Sequence, residues 1–464
     1  MDRANLKNSQ FGKTFNQYER TQLSKFGPQG AVPSMADSQC AEVILPLFLP
    51  SLYNSEFALS KYFNRAKAFA SMAFGGLKTK RPIELQSVVD DMRVRDTLST
   101  NSGYPLYARR NSVSSQSIQD AASGKAYEYP AIILFRQYNG KLRPVWMYPM
   151  AMNLLESSFS NVIQSALRDS PSEWIRSYVS PWEGYERVKE TLTQQWKSPI
   201  QLDGGDTTKM DANMRPAQLR LFFEIVKWLF QEKYWTQLYQ CVMQVNNIPL
   251  LVSTDQKLVG IHGLASGSAW TQISETVLQL FMAWNRGLTT GGQGIGDDFY
   301  WISNMNASEL VNYLSNFGLP ANPDKQTISN SELHFLQRVN IRGFHSRESS
   351  SILGGYYPTI RALNSMLNPE KFHKPKDWNK RMFAVRNFFI LENCIDNPCF
   401  REFAQFVARG HSYLREFAEK SDVELNSIQR TARRVPGLNP SYNQEKLTKP
   451  LSSFYSIRFF RENL

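Results

Sequence analysis

GDDFYWI, residues 296–302, is the most informative stretch of this chain. A glycine and two adjacent acids form a tight turn, and a strongly apolar strand follows them. Such a turn is typical of a solvated hairpin tip, where water weakens the repulsion between neighbouring carboxylates. It also suits a divalent cation, because Mg²⁺ prefers hard oxygen ligands and needs only one or two protein carboxylates. The stretch alone leaves both interpretations open.

A second acidic segment lies upstream. Residues 198–206, SPIQLDGGD, predict a strand that ends at Asp206, and Asp211 follows one helical turn later. An aspartate at a strand-to-helix junction is ordinarily an N-cap, which is the alternative interpretation. Phosphoryl transfer uses two cations roughly 3.5–4 Å apart, so Asp206, Asp297 and Asp298 are candidate ligands for two Mg²⁺ ions, with Mn²⁺ as the alternative metal.

The segment between these acids predicts helices and a loop. Residues 214–239 repeat apolar side chains at helical spacing. Residues 266–285 also predict one helix, with Ser266 as its N-cap. The glycine at 267 allows a close backbone approach, and the hydroxyls of Ser266 and Thr271 can bind a sugar or simply cap the helix.

Two other stretches lead to weaker predictions. The Ser-rich residues 111–120 predict a solvated loop. The run TTGGQGIG, residues 289–296, is poorer in apolar residues than a buried strand should be. We therefore expect a short strand there, or one that orders only on ligand binding.

A basic hairpin precedes all of these segments. Residues 131–135, AIILF, predict a strand, Asn139-Gly140 a turn, and the following residues a basic return strand. Arg136, Lys141 and Arg143 would then lie together and could bind a triphosphate, although a solvated hairpin edge is the alternative. Lys325 is a candidate proton donor, with an ordinary surface lysine as the alternative.

Composition narrows the class of protein. The 464 residues are 42% hydrophobic and carry a formal charge of +12 with pI near 9.4, which favours a globular protein with polyanionic partners. Four cysteines without paired spacing indicate a reducing compartment. The longest apolar stretch, residues 41–50, is short and contains two prolines, so we expect no membrane span. Residues 430–462 are basic and aromatic, a candidate nucleic-acid contact or priming element.

Taken in order, these segments resemble the motifs of viral RNA-dependent RNA polymerases, most closely the picobirnavirus and partitivirus group. The resemblance covers roughly residues 95–400, and the shared order is more specific than any single motif. The matching segments are Thr100 to Pro105 (template guide), Lys141 to Arg143 (triphosphate), Asp206 to Asp211 (first metal motif), Ser266 to Thr271 (sugar sensor), Gly296 to Asp298 (second metal motif), Lys325 (general acid), Phe335 to Arg338 (primer grip) and the thumb segments at 361–363 and 390–398.

The resemblance implies an α/β (α+β) right-hand fold: fingers, a palm with an antiparallel sheet and flanking helices, and a helical thumb, closed by fingertip contacts. The implied regions are 1–195 for the N-terminal region and fingers, 196–345 for the palm with a fingers insertion at about 212–260, and 346–464 for the thumb and basic tail.

The resemblance also implies a role for each site residue. Asp206 and Asp297 would be the principal metal ligands and Asp298 an auxiliary one. Arg136, Lys141 and Arg143 would bind the triphosphate, and Asp211, Ser266, Gly267 and Thr271 the ribose. Lys325 would protonate pyrophosphate, and Ser102, Gly103, Gln337 and Arg338 would contact template or primer.

The implied partners are RNA template and product, nucleoside triphosphates and a viral capsid protein, without a membrane. The implied locations are the virion interior and the host cytoplasm, and the implied genome is double-stranded and segmented.

One departure and two rival functions remain at this point. Glu275 stands where many positive-strand viral polymerases have an asparagine that contacts the ribose. A reverse transcriptase-like polymerase is one rival, although that family usually has Tyr or Phe where this chain has Ile295. A non-enzymatic basic RNA-binding or packaging protein is the other, but it would not explain the ordered acids.

Overall fold

The computed structural model describes residues 11–32, 37–95, 97–138, 140–369, 378–433, 435 and 449–464. The N-terminal elements are α1 (Gly12–Leu23), β1 (Gly30–Ala31), α2 (Asp37–Phe48), α3 (Phe63–Phe74), α4 (Leu85–Val94), α5 (Arg110–Ala122), β2 (Ala131–Tyr138), β3 (Lys141–Met147), α6 (Met150–Arg168), α7 (Glu173–Tyr178) and α8 (Tyr185–Gln195).

The central elements are β4 (Leu202–Asp206), α9 (Met210–Asn213), α10 (Pro216–Val226), α11 (Trp235–Met243), β5 (Leu250–Leu251), β6 (Lys257–Leu258), α12 (Trp270–Arg286), β7 (Gly292–Ile295), β8 (Asp298–Ile302), α13 (Ala307–Ser315), β9 (Thr327–Ser329), β10 (Glu332–Phe335) and β11 (Arg338–Ile341). The C-terminal elements are α14 (Thr359–Leu367), α15 (Lys380–Glu392), α16 (Phe400–Gly410), α17 (Tyr413–Ala418), α18 (Asp422–Arg433) and α19 (Tyr455–Asn463).

The predicted palm is a four-stranded antiparallel sheet in the order β7-β8-β4-β9. Side chains alternate between its faces, as strand geometry requires. Phe299 and Trp301 pack into the large core that includes α12, whereas Leu202 and Tyr300 pack with α8 on the opposite face. The sheet is thus covered on both faces, and its acids lie at one end.

The glycine-rich strand β7 is short, as expected, and buried. A Cβ added at Gly294 would lie 2.6 Å from the Gln279 side-chain oxygen and 2.7 Å from the Tyr178 hydroxyl. Large neighbouring side chains therefore fill the space that apolar residues of β7 would otherwise occupy. The scarcity of apolar residues in β7 reflects this close packing.

The Ser-rich stretch is a helix, α5, and the prediction of a solvated loop was wrong. Ser117, Asp120 and Ala121 form its buried face, which packs against α6, and Asp120 accepts a hydrogen bond of 2.9 Å from the Tyr129 hydroxyl. Small side chains allow the two helices to approach closely, so burial outweighs the weak helix propensity of serine.

Residues 214–239 form two helices, α10 and α11, rather than one. The chain between them is extended at Phe230, whose neighbours form backbone hydrogen bonds with the segment 78–80.

The predicted N-cap at Ser266 was wrong. Helix α12 begins at Trp270, where Ser268 accepts a hydrogen bond from the Trp270 N–H.

The N-terminal segment contacts both the basic hairpin and the C-terminal helices. Strand β1 pairs with β2 of the basic hairpin, and Phe15 in α1 stacks on Tyr356 with ring centroids 3.9 Å apart. The buried carboxylate of Glu19 accepts hydrogen bonds from the Thr359 and Ile360 N–H groups at the start of α14. These contacts join the hairpin to the C-terminal helices, as the predicted closure requires.

The C-terminal helices form the predicted helical thumb and have a core of their own. Phe454, Phe459 and Phe460 belong to this core and are buried, so these three aromatic side chains do not form the surface of the predicted nucleic-acid contact, and the role of the basic stretch stays a prediction. The predicted turn residue Asn139 and the tail residues 436–448 lie outside the described residues. Within the described ranges, no helix is long and apolar enough to cross a membrane.

Candidate active site

The sheet places the two acidic motifs side by side. Asp206, the last residue of β4, is the antiparallel partner of Asp298, the first residue of β8. Asp297 lies in the turn between β7 and β8, immediately beside that pair. Asp206 and the adjacent pair Asp297-Asp298, about 90 residues apart in sequence, thus lie at one end of the sheet.

Hydrogen bonds fix two of these acids. The Asp298 carboxylate accepts a 2.8 Å bond from the Leu336 N–H in the turn between β10 and β11. The Gln326 amide holds the Asp206 backbone, donating to its carbonyl at 2.9 Å and accepting from its N–H at 3.0 Å. The Asp206 side chain remains exposed. We call the space around Asp206, Asp297 and Asp298 the cleft.

The carboxylates raise each other's pKa values. Burial raises the pKa of Asp298 to about 7, and the charges of Asp297 and Asp206 add to the effect. Burial and the charge of Asp297 raise the pKa of Asp211 to about 6. Asp297 is exposed, and its pKa is raised by desolvation and by Asp206, whereas Arg143 lowers it. The cleft therefore concentrates negative charge.

Sequence reasoning missed one member of this group as an acid of the site. Glu275 in α12 is only 4% exposed, and burial together with Asp211 and Asp297 raises its pKa well above the ordinary value. The departure at this position was visible in the sequence, but its proximity to Asp211 was not. Glu275 thus adds a further acidic side chain beside Asp211 and Asp297, and its burial favours the protonated form.

The donor set fits a divalent cation, although it does not form a closed coordination group. Hard carboxylate oxygens are the ligands that Mg²⁺ prefers, and a cation would turn their mutual repulsion into attraction. Among the described residues, however, no three His, Cys, Asp or Glu side chains lie close enough together to hold one metal ion. Mg²⁺ keeps several waters and needs only one or two protein carboxylates, so water and phosphate oxygens would complete its coordination.

The basic hairpin faces the acids. Arg136 pairs with Arg143 across β2 and β3, and Tyr138 pairs with Lys141, so all four side chains lie on one face. Arg143 lowers the pKa values of both Asp211 and Asp297, which places its charge beside them. The predicted grouping of the three cations is therefore present.

Lys25 is a cation that the sequence did not suggest. Burial lowers its pKa, and so do the charges of Arg361 and Lys141, whereas Asp206 acts in the opposite direction. Lys25 thus lies between the basic hairpin and the acids. It reaches this position because β1 carries the N-terminal segment onto the hairpin.

The loop at residues 265–269, which contains the start of the predicted sugar-sensing motif (Ser266 to Thr271) and is called the sugar-sensing loop below, lies beside the predicted first metal motif. The Leu264 N–H donates to the Asp211 carbonyl, which brings α9 against the loop. The Ser266 hydroxyl oxygen accepts from the Trp146 N–H at 3.3 Å. The Thr271 hydroxyl donates to the Ala265 and Ser268 carbonyls at 3.1 Å, so it stabilises the loop itself.

The remaining predicted residues are more dispersed. Lys325 is exposed next to Gln326, which binds the Asp206 backbone. Gly103 has a positive φ of 71°, and a Cβ there would lie 2.8 Å from the Tyr148 carbonyl oxygen, whereas Ser102 is buried.

The predicted primer-grip residues differ in exposure. Gln337 is exposed in the turn between β10 and β11. The guanidinium of Arg338 is buried, donates to the backbone and side-chain oxygens of Asn393, and lies 4.0 Å from the centre of the Tyr185 ring. Arg338 therefore joins the palm to the thumb in this structure, and its predicted contact with primer stays a prediction.

The chain is similar in sequence and in fold to viral polymerases. The chain is 25% identical over 358 residues, 71% of its length, to a potential RNA-dependent RNA polymerase of human picobirnavirus. The match spans 65% of the length of that relative. No family model matches the chain.

Two solved structures are similar to this chain in fold. The crystal structure of the RNA-dependent RNA polymerase of a human picobirnavirus superposes with a TM-score of 0.76 and 20% identity, covering 99% of this chain and 91% of the other. This chain has the fold of a viral RNA-dependent RNA polymerase. An insertion-loop deletion mutant of the same enzyme type matches with a TM-score of 0.71 and 21% identity, over 92% and 86% of the two chains.

These matches confirm the right-hand fold and the resemblance to picobirnavirus polymerases. They leave the predicted region boundaries and the roles of the individual site residues as predictions.

Proposed function

We propose that this protein is an RNA-dependent RNA polymerase that joins ribonucleotides on an RNA template by two-metal nucleotidyl transfer. The observation that carries the proposal is the pairing of Asp206 with Asp298 beside Asp297, at the end of a polymerase-type sheet. The picobirnavirus relative, itself named a potential RNA-dependent RNA polymerase, supports the same reaction.

Asp206 and Asp297 would be the principal metal ligands and Asp298 the auxiliary one. Bound Mg²⁺, with Mn²⁺ as the alternative, would favour deprotonation of the primer 3′-hydroxyl and stabilise charge on the phosphates. The hydrogen bond from Leu336 to Asp298 keeps that carboxylate at the side of the cleft, which suits an auxiliary role.

The basic hairpin would bind the nucleotide's triphosphate. Arg136, Lys141 and Arg143 share one face, and Arg143 already lies close enough to the acids to affect their pKa values. These cations would orient the α-phosphate toward the 3′-hydroxyl for in-line attack. Lys325 would donate the proton that leaves with pyrophosphate, since it is solvent-exposed and next to the residue that binds Asp206.

Asp211, Ser266, Gly267 and Thr271 would select the ribose. Asp211 and Ser266 supply the oxygen atoms that a 2′-hydroxyl can contact, and the hydrogen bonds of Thr271 hold the loop in place. Ser102 and Gly103 would guide the template, while Gln337 and Arg338 would contact the primer strand.

The relative's origin supports a viral role. We propose that the enzyme transcribes and replicates a double-stranded, segmented RNA genome. Its partners would be RNA, nucleoside triphosphates and a viral capsid protein, and its locations the virion interior and the host cytoplasm.

Labelled-nucleotide incorporation on a single-stranded RNA template tests the proposal. We expect the wild type to incorporate ribonucleotides in the presence of Mg²⁺ and to use deoxyribonucleotides poorly, and Asp297→Ala to incorporate neither. Preferential use of deoxyribonucleotides would favour the reverse transcriptase alternative. RNA binding without any incorporation would favour the packaging alternative.

A further inference from the structure

Helix α6 supplies two buried polar side chains to the sugar-sensing loop. The Glu156 carboxylate, which is fully buried, accepts a 2.8 Å hydrogen bond from the Ser268 hydroxyl and a 2.7 Å bond from the Ala269 N–H. The Asn153 side-chain amide donates to the Gly267 carbonyl at 3.0 Å. Because Asn153 and Glu156 are three residues apart, they lie on one face of the helix and hold three consecutive loop residues.

The loop is also held from the opposite side. A Cβ added at Gly267 would lie 2.0 Å from the Trp146 carbonyl oxygen, so the loop backbone rests directly on the end of β3. The loop therefore has little freedom to compensate if the contacts from α6 change. Its position is therefore set by β3 on one side and by the hydrogen bonds of Asn153 and Glu156 on the other.

Asn153 also connects the loop to the template-guiding segment. The Arg110 guanidinium donates to the Asn153 side-chain oxygen at 2.9 Å and to the Asn101 carbonyl at 3.3 Å. Asn101 in turn accepts a 2.8 Å bond from the Gly103 N–H. A continuous set of hydrogen bonds thus runs from residues 101–103 to the loop.

We infer that Asn153 and Glu156 are positioning residues that hold the sugar-sensing loop in the geometry that selects ribonucleotides. The inference rests on the proposed polymerase function and assigns these residues no contact with the nucleotide. They act through Ser266 and Gly267, whose places in the cleft follow from the hydrogen bonds at Gly267, Ser268 and Ala269.

The charge state of Glu156 provides a second readout. Burial raises its pKa to about 7, against the opposing hydrogen bonds from Ala269 and Ser268. Burial likewise raises the pKa values of the neighbouring Tyr148, Tyr127 and Cys241, which stay neutral at that pH. The Arg110 guanidinium binds Asn153, and no cation contributes to the shift of the Glu156 pKa. Protonation of Glu156 weakens it as an acceptor, so we expect ribose selectivity to fall as the pH is lowered through about 7.

Two isosteric variants test the inference in the full-length enzyme. Asn153→Asp keeps an acceptor for Arg110 but removes the donor to Gly267, and Glu156→Gln replaces the carboxylate that binds Ser268 and Ala269. Ser158→Ala is the matched control, because Ser158 is buried in the same helix and donates only to the Leu155 carbonyl. The measurement is kcat and KM for ribonucleotide and deoxyribonucleotide incorporation, from pH 6 to 8.

We expect each of the two variants to raise KM for ribonucleotides about 10-fold and to lower the ribo-to-deoxy preference by a similar factor, since one buried hydrogen bond is typically worth this much. Glu156→Gln should also flatten the pH dependence of the preference, relative to wild type and Ser158→Ala. Thermal unfolding identifies variants that are simply misfolded. Asn153→Asp and Glu156→Gln both preserve the size of the side chain, so we expect at least one of them to remain folded.

An equal loss of kcat for both nucleotide types, or a preference equal to that of the control in a folded variant, would overturn the inference. Loss of folding in both variants would overturn it as well, since it would assign the two residues to stability alone. The proposed function fails separately, if the wild-type enzyme incorporates no nucleotide at all.

Discussion

The acidic cleft and the palm–thumb junction both contain buried or half-buried aspartates, but the pKa values of these aspartates are shifted in opposite directions. In the junction, Asp396 accepts hydrogen bonds from Ser346 and from the Gly355 N–H, and it pairs with Lys189 at 3.1 Å. Burial opposes its ionisation, but Lys189 and these donors outweigh burial and lower its pKa. In the cleft, burial and neighbouring acids raise the pKa of Asp298 to about 7.

This contrast in pKa separates carboxylates that stabilise the fold from carboxylates that are available to bind a ligand. A buried carboxylate with a cation and several donors is satisfied within the protein. Acids that raise each other's pKa values are not, and such groups cluster at functional sites. Removing a carboxylate charge should therefore leave the free energy of unfolding unchanged or higher in the cleft, and should lower it in the junction.

The largest expected effect is on activity, at Asp206. Asp206→Asn keeps the size of the side chain but removes a metal-binding charge, so we expect nucleotide incorporation to fall on the order of 10³-fold or more. Its stability in urea should equal or exceed that of wild type, because a like charge is removed. Marked destabilisation would show that Asp206 belongs with the satisfied acids of the junction.

The next effect is on stability, at Asp396. Asp396→Asn leaves the Lys189 charge buried, so we expect the free energy of unfolding in urea to fall by about 3–5 kcal/mol. Glu186→Gln is the matched control, because Glu186 is a partner of the same lysine at 2.9 Å but is exposed. That change should cost at most about 1 kcal/mol. Equal losses would refute the contrast between the two regions.

The pH dependence of stability should separate the two regions. The folded-state pKa of Asp298 is raised to about 7, above its unfolded value, so stability is fully present at low pH and is lost as the pH rises toward 7. We expect a loss of about 1–2 kcal/mol after allowance for solvent screening. Mg²⁺ should restore it, and Asp298→Asn should reduce the dependence, while Asp211, Asp297 and Glu275, whose pKa values are also raised, retain the rest. Urea unfolding at pH 5 and 8, with and without Mg²⁺, measures this, and a pH dependence in the variant equal to that of wild type would contradict it.

The smallest effects concern the cations facing the cleft. Arg143→Gln should raise KM for nucleoside triphosphates about 10-fold, and Lys25→Gln about 3-fold, because each removes one charge-assisted contact. Lys125→Gln, at an exposed position on the N-terminal side of the hairpin, is the control and should leave KM unchanged. Steady-state kinetics would contradict the assignment if all three variants behaved alike.

Much of the site followed from the sequence because each motif ends a strand or opens a loop. The strand ending at Asp206 and the basic hairpin follow from local patterns, and antiparallel pairing then brings the motifs together. The position of Lys25 did not follow, since it depends on pairing between β1 and β2, more than 100 residues apart. The Ser-rich helix was missed for a similar reason, because its stability comes from packing against α6 rather than from its own residues.

The most direct test of the central claim is a Mg²⁺ titration of template-directed RNA synthesis by wild type and Asp297→Asn at equal protein concentration, with both proteins shown to be folded. We expect wild-type synthesis to rise with Mg²⁺ and to vanish in EDTA, and the variant to be inactive at every Mg²⁺ concentration. Undiminished synthesis by Asp297→Asn, or synthesis that persists without a divalent cation, would contradict the assignment of these acids.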